Sequence, residues 1–182
     1  MRRRSPQGPE RHSSGPREEP LVVSGADHSG TTWMGRMLAM APSLTYIHEP
    51  FKVGSPRGRC AADFDTWCRY VCEENETPEL VQAFRDTLEF RFNTLEGLKD
   101  AGSLKDLARL GRDWLTYLFS KLGRKRPLLK DPLAVFSLEW LEKRFDVLPI
   151  IIIRHPLGYA GSRKKHNLHH PFDHFLRQSH LL

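Results

Sequence analysis

The chain has 182 residues, of which 39% are hydrophobic and 27% charged, enough for one domain with a core and too few for two ordinary domains. Its longest apolar run, 147–153, contains Pro149 and is far too short to span a bilayer, so no membrane span is predicted. Three cysteines without a CxxC pair indicate neither a disulfide scaffold nor a zinc site. A reducing, cytoplasmic location is the simplest interpretation.

The net charge of +6 favours anionic partners without distinguishing polymers from small phosphorylated molecules. The basic residues form no stripe that alternates with aromatic residues, so no nucleic acid partner is predicted. Residues 1–19 are rich in Arg, Pro, Ser and Gly and are predicted to be a disordered basic tail, ahead of one domain at 20–182. The sequence does not indicate an oligomeric state.

The domain begins with a predicted strand at 21–23, a glycine loop at 24–30 and a helix that follows the loop and runs to residue 40. A second short strand is predicted at 45–47. The region 63–100 is predicted to be mainly helical, with Pro78 near the start of one helix.

A further helix is predicted from the capping-box spacing of Ser103 and Asp106 to about Gly123. Its apolar residues form one face, consisting of Leu104, Leu107, Trp114, Leu115, Leu118 and Leu122.

The last part of the domain repeats the order of strand and helix. Residues 128–129 predict a strand that ends at Lys130, and 133–145 predict a helix. Residues 148–153 are apolar throughout, as expected of a strand covered on both faces, and another helix begins after Pro156. The alternation predicts an α/β three-layer sandwich with a parallel sheet, which binds ligands at the carboxyl ends of its strands.

The glycine loop has the spacing of a phosphate-binding loop. Gly25 and Gly30, followed by Thr31 and Thr32, bring backbone N–H groups and a helix N-terminus to one place. Thr31 stands where a P-loop has lysine, so a nucleoside triphosphatase would lack a charge on its transferring phosphate. A plain strand-to-helix turn would use the same residues, and that alternative stays open.

The loop resembles the 5′-phosphosulfate loop of the sulfotransferases, which use 3′-phosphoadenosine 5′-phosphosulfate (PAPS) on a P-loop NTPase-like fold without the triphosphatase lysine. The residues that carry the resemblance, and that it implies bind the cofactor, are His28, Ser29, Gly30, Thr31, Thr32 and Trp33. His28 holds a place that is commonly Lys or Arg in the family. The resemblance implies that this side chain acts as an electrophile, although an imidazole departs from the family's pattern.

Residues 152–162 are similar to the family's 3′-phosphate segment, which implies that Arg154 and Ser162 hold the 3′-phosphate. A guanidinium offers a two-pronged fork to a phosphate, and a hydroxyl adds a neutral donor. Taken alone, Arg154 is an arginine that leaves a strand for solvent, and Ser162 is a surface serine.

Residues 46–51 resemble a segment of bacterial and carbohydrate sulfotransferases in which an acidic residue faces the acceptor, so Glu49 is the candidate base. His48 is an alternative base, and Glu49 could instead cap a turn or pair with an arginine. Lys130 lies where the family often has a basic residue near the transferring group, and it would act there as an electrophile. Its alternative is a lysine paired with Asp131 on a solvated loop.

The sequence therefore predicts a sulfotransferase that moves a sulfuryl group from PAPS, as co-substrate and without a metal, to a hydroxyl or amine of a small-molecule or carbohydrate acceptor. Two alternatives stay open: a P-loop kinase-like phosphotransferase and a truncated nucleotide-binding remnant without activity. The resemblance runs over 21–182 and stops before the family's usual carboxyl-terminal portion, so the domain is expected to be C-terminally incomplete. Four histidines, at 166, 169, 170 and 174, lack an acidic or thiolate partner, and no metal site is predicted.

Overall fold

The structure, a computed structural model, describes residues 18–169 and 172–181. The predicted tail lies outside the described residues except for its last two positions. There the Glu18 carboxylate lies 3.6 Å from the Arg126 guanidinium, and the Glu19 carbonyl accepts a hydrogen bond from the same side chain.

A parallel sheet of four strands forms the centre of the described part of the chain. The strands are β1 Leu21–Gly25, β2 Leu44–His48, β3 Arg126–Lys130 and β4 Leu148–Ile152, in the order β2-β3-β1-β4. Lys130 pairs in register with His48 on one side and Val23 on the other, and Gly25 pairs with Ile152. All four carboxyl ends therefore lie at one edge, and the predicted α/β class with a parallel sheet is confirmed.

Seven α-helices and one 3-10 helix are present among the described residues. They are α1 Thr31–Leu38, α2 Pro78–Leu88, α3 Thr94–Asp100, α4 Leu104–Leu122, the 3-10 helix Pro132–Ser137, α5 Leu138–Phe145, α6 Pro156–Lys165 and α7 Phe172–Leu176. None of these described helices combines the length and the apolar character needed to cross a membrane.

Local chemistry explains where the predicted helices start, and also where the predictions fail. The Ser103 side chain accepts a hydrogen bond from the Asp106 N–H, so the predicted cap of α4 is confirmed. Pro78 occupies the first turn of α2, as predicted. The prediction of helix from residue 63 is wrong, because 63–77 is irregular, and the predicted helix at 133–145 begins as a 3-10 turn.

Helices pack on both faces of the sheet. On one face, Met34 and Leu38 of α1 contact Leu21, Val23 and Leu128. The opposite face carries the larger core, which includes aromatic rings from several segments. These rings are Phe51, Phe64, Phe84, Tyr117 and Trp140.

α4 turns a polar side inward. Asp113 pairs with Arg59 at 2.7 Å, the Tyr117 hydroxyl donates to the Arg59 carbonyl at 3.0 Å, and Ser120 Oγ lies 2.7 Å from Thr45 Oγ1. Most of the apolar face predicted for this helix is consequently exposed to solvent. Buried hydrogen bonds are costly to leave unmade, so these polar contacts favour this rotation of the helix.

The expectation that 148–153 is covered on both faces is wrong. β4 is an edge strand that pairs with β1, and Leu148, Ile151 and Ile153 are exposed. Apolar composition indicates a strand but does not determine how much of its faces other elements cover. β2 is the other edge strand, yet its Ile47 is buried.

Candidate functional site

The loop after β1 needs glycine at two positions. A Cβ atom on Gly25 would lie 2.3 Å from the Ile152 carbonyl oxygen, and Gly25 also has φ 142°. Gly30 precedes α1 with φ 105°, in the left-handed region. The loop therefore bends sharply at the carboxyl end of β1, and α1 begins directly after it.

The loop has the groups that an anion requires. The first-turn N–H groups of α1, at Thr31, Thr32 and Trp33, lack acceptors within the helix. Ser29 Oγ is buried and has no hydrogen-bond partner among the described residues, although buried polar atoms are nearly always paired. These donors fit a phosphate or sulfate group. The Trp33 side chain, in contrast, is mostly exposed.

The second predicted phosphate segment lies against this loop. The Arg154 guanidinium, just after β4, donates through Nη1 to the His28 carbonyl at 2.5 Å. The His28 ring stacks on His166, with 5.5 Å between ring centroids, and the His166 N–H bonds the Ser162 carbonyl one turn earlier. The structure thus brings the loop, Arg154 and the last turn of α6 together.

Glu49 and Lys130 meet at the ends of β2 and β3. Lys130 Nζ donates to Glu49 Oε1, and the exposed fractions of the two side chains are 2% and 18%. The alternative of a solvated Lys130 paired with Asp131 is contradicted, because Asp131 instead accepts hydrogen bonds from the Phe51 and Leu133 N–H groups. The alternative of an arginine partner for Glu49 is also wrong, since the partner is this lysine.

His48 lies beside the same carboxylate. Its Nε2 is 3.7 Å from Glu49 Oε2, and its Nδ1 is 3.3 Å from the Tyr46 hydroxyl. Burial is the largest effect on the pKa of His48 and lowers it, the Glu49 carboxylate opposes this shift, and the Lys130 ammonium adds to it. The net effect favours a neutral imidazole at neutral pH.

A cavity of about 770 Å³ opens beside Glu49 and the loop. Most of its walls come from the irregular segment after β2, the 3-10 helix, α6 and α7, and these residues were not predicted from the sequence. The missed residues include Trp67, Cys68, Leu133, Phe136, Tyr159 and Arg163. No local periodicity marks them, since the fold brings them together from distant parts of the chain.

A polar network forms one wall of this cavity. The Tyr159 hydroxyl donates to Asp27 Oδ1 at 2.8 Å, and Arg163 pairs with Asp27 Oδ2. Arg163 also lies over the Tyr159 ring at 5.6 Å from its centroid. Burial and the hydrogen bond to Asp27 raise the pKa of Tyr159.

The described residues contain no group of three or more His, Cys, Asp or Glu side chains placed to hold a metal ion. Of the four clustered histidines, the one at position 170 lies outside the described residues. Comparisons with protein-family models, curated proteins and solved structures find no match to this chain.

Proposed function

We propose that this chain is a sulfotransferase on a P-loop NTPase-like fold, which passes a sulfuryl group from PAPS to an acceptor hydroxyl or amine. The observation that carries the proposal is the hydrogen bond from Arg154 to the His28 carbonyl. It joins the loop after β1 to the segment after the neighbouring paired strand β4, at the strand ends where parallel α/β sheets bind ligands.

The loop and the Arg154 segment supply complementary parts of a nucleotide site. The loop N–H groups and Ser29 Oγ would hold the 5′-phosphosulfate, while Arg154 and Ser162 would hold the 3′-phosphate. PAPS, when bound, would supply the sulfuryl group: a sulfur–oxygen bond to a hydroxyl or a sulfur–nitrogen bond to an amine would form, the bond between sulfur and the bridging phosphate oxygen would break, and adenosine 3′,5′-bisphosphate would leave. The proposal includes no metal ion.

Glu49 is the base in this proposal, because its carboxylate lines the cavity and can take the proton of the acceptor hydroxyl. Lys130 is directed at Glu49 and buried behind it, so we assign it the role of positioning that carboxylate. His28, a loop residue with φ 56° that also lines the cavity, would act as the electrophile toward the leaving group.

Ligand-dependent melting of the full chain tests the nucleotide class. We expect adenosine 3′,5′-bisphosphate to raise the melting temperature much more than ATP with Mg²⁺ does, because a ligand stabilises the folded state that it binds. The reverse ranking would favour a kinase-like phosphotransferase. Stabilisation by the bisphosphate without transfer of labelled sulfate to any acceptor would identify a binding remnant.

Two substitutions test the separate roles of the site residues. Arg154→Ala should weaken bisphosphate binding about tenfold or more, whereas Arg112→Ala, on the exposed side of α4, should leave it unchanged. Glu49→Gln should keep bisphosphate binding and reduce transfer about a hundredfold or more. Calorimetric titration and a labelled-sulfate assay measure the two effects, and an equal loss of binding in both site variants would contradict this division.

A further inference from the structure

The cavity beside Glu49 has walls that are mainly carbon. Aromatic and aliphatic side chains from the irregular segment, the 3-10 helix and the carboxyl-terminal part of the chain surround it. They are Trp67, Leu133, Val135, Phe136, Leu168 and Phe175. A volume of about 770 Å³ lies in the range of cavities that enclose organic molecules of several rings, and such cavities combine an apolar lining with a few polar groups.

The charges on the cavity wall are already neutralised by partners within the protein. Asp27 is paired with Arg163 and bonded by Tyr159, and Glu49 is paired with Lys130. Among the described residues, the two imidazoles of His28 and His169 complete the polar lining. A charged ligand would find no carboxylate or guanidinium without a partner among the described residues of the lining, and it would lose its hydration on entry.

A carbohydrate would also fit this lining poorly. Each sugar hydroxyl that leaves water needs a hydrogen-bond partner, and an unmade bond costs about 1–3 kcal/mol. The few polar groups of the cavity are largely engaged with one another, so most hydroxyls of a sugar would face carbon. An apolar ring system with a single hydroxyl loses little hydration and gains by burial of its surface.

We infer that the acceptor is an uncharged, apolar alcohol or phenol, held in this cavity with its hydroxyl beside Glu49. The inference rests on the proposed sulfotransferase function and narrows the acceptor to one chemical class. The single hydroxyl gives its proton to Glu49. The ring system contacts Trp67 and Phe136 on one side and, on the other, the carboxyl-terminal wall, which Leu168 and Phe175 form.

The carboxyl-terminal wall is fixed to the rest of the cavity by hydrogen bonds. Gln178 is buried, accepts from the Tyr70 N–H at 2.7 Å and donates to the Cys68 carbonyl at 3.2 Å. The Trp67 N–H also donates to His174 Nδ1 at 3.2 Å. These bonds hold α7 and the irregular segment together, so the apolar enclosure is part of the folded protein.

Direct binding of two probes to the full chain tests the inference, with 2-naphthol as the apolar probe and lactose as the sugar. Calorimetric titration at neutral pH should show 2-naphthol binding at least about tenfold more tightly than lactose, a difference of about 1.4 kcal/mol. Absence of 2-naphthol binding, or equal binding of lactose, would overturn the inference.

Charge-introducing substitutions test whether 2-naphthol binds in the cavity. Leu168→Glu puts a carboxylate on the cavity wall and should weaken 2-naphthol binding about tenfold or more. Leu157→Glu is the matched control, since Leu157 is an exposed leucine of α6 that does not line the cavity. Phe136→Ser, with exposed Phe119→Ser as its control, provides a second pair that adds no charge. Unchanged affinity in both cavity variants would overturn the inference.

Bisphosphate binding, measured on the same proteins, separates the two proposals. If the bisphosphate binds and 2-naphthol does not, the acceptor class is wrong while the sulfotransferase proposal stands. If the bisphosphate does not bind, the sulfotransferase proposal fails, and the acceptor inference fails with it even where 2-naphthol binds.

Discussion

Asp131 is a fully buried carboxyl group that joins two segments at the carboxyl end of the sheet. It accepts hydrogen bonds from the Phe51 N–H at 2.6 Å and from the Leu133 N–H at 2.9 Å. Burial raises the pKa of Asp131 from 3.8 to about 7, although the two backbone donors oppose the shift. The carboxyl group therefore holds the segment next to Glu49 in place, and the free-energy cost of burying its ionised form makes its contribution to stability depend on pH.

We predict that Asp131 makes the protein more stable at mildly acidic pH, where its carboxyl group is protonated, than at alkaline pH, where it is ionised. Because the folded state binds this proton more tightly than the unfolded state, the contribution of the group to stability falls as pH rises from about 4 to about 7. Wild type should gain stability relative to Asp131→Asn on going from pH 8 to pH 5, by at most about 1.4 kcal/mol per pH unit. Urea denaturation of both proteins across this range measures the difference.

The Asp131→Asn comparison is needed because His48 acts in the opposite direction. The pKa of His48 is lowered in the folded state, so its contribution to stability is lost as pH falls through the usual histidine range. Subtracting the variant from wild type removes this common effect. A difference that stays constant with pH, or grows as pH rises, would contradict the assignment to Asp131.

Sequence patterns predicted which residues lie together at the edge of the sheet better than they predicted the partner of each residue. The predicted loop residues and Arg154 do lie together, because strand ends in a parallel sheet share one edge. The partner of Lys130 was not predictable, since Glu49 lies 81 positions away and Asp131 is its immediate neighbour in the sequence. Whether Glu49 is the base stays a prediction.

At the scale of elements, β4 is the strand whose surroundings differ most from expectation. Its residues are as apolar as those of a central strand, yet β4 lies at the edge, with Ile151 53% exposed. The composition of an element depends on the residues alone, whereas its burial depends on what the rest of the chain places against it. The same reason explains why the apolar face of α4 was recognised and its exposure was not.

Two isoleucine substitutions compare the exposed edge strand β4 with β2, the other edge strand, whose Ile47 lies in the core. Ile151→Thr in β4 should cost about 0.5 kcal/mol or less in the free energy of unfolding, since threonine suits a strand and the site is exposed. Ile47→Thr in β2, where the side chain is 2% exposed, should cost about 2 kcal/mol or more. Chemical denaturation gives both values, and similar costs would contradict the exposure of Ile151 in β4.

At the scale of the whole molecule, the two faces of the sheet have unequal cores. Phe84 of α2 lies in the larger one, with its ring centroid 4.8 Å from that of Phe51 and 5.4 Å from that of Trp140. These contacts join α2 to the segment after β2 and to α5. Phe84 therefore links three parts of the chain that are distant in sequence.

We predict that Phe84→Ala destabilises the protein by about 3–5 kcal/mol, because it removes a fully buried ring and leaves a cavity. Phe119→Ala, on the exposed side of α4, should cost about 0.5 kcal/mol or less. Denaturation followed by both fluorescence and circular dichroism measures the two costs. Equal losses in the two variants would show that the aromatic cluster around Phe84 is not a main source of stability.

The overall architecture was more predictable than the cavity. Short apolar runs, glycines and caps act over a few residues, and they placed all four strands of the described sheet and the start of α4. The cavity depends on Trp67, Phe136 and Tyr159, which approach one another only after the chain has folded. Residues 63–77 have no regular structure, so no periodic pattern could have located Trp67.

The hydrogen bond to the His28 carbonyl fixes the Arg154 guanidinium against the loop in the folded protein. A guanidinium has five N–H donors, and this bond uses one of them while it sets the direction of the rest. An anion that binds here would contact a loop and a guanidinium that folding has already ordered, so binding would cost little further conformational entropy.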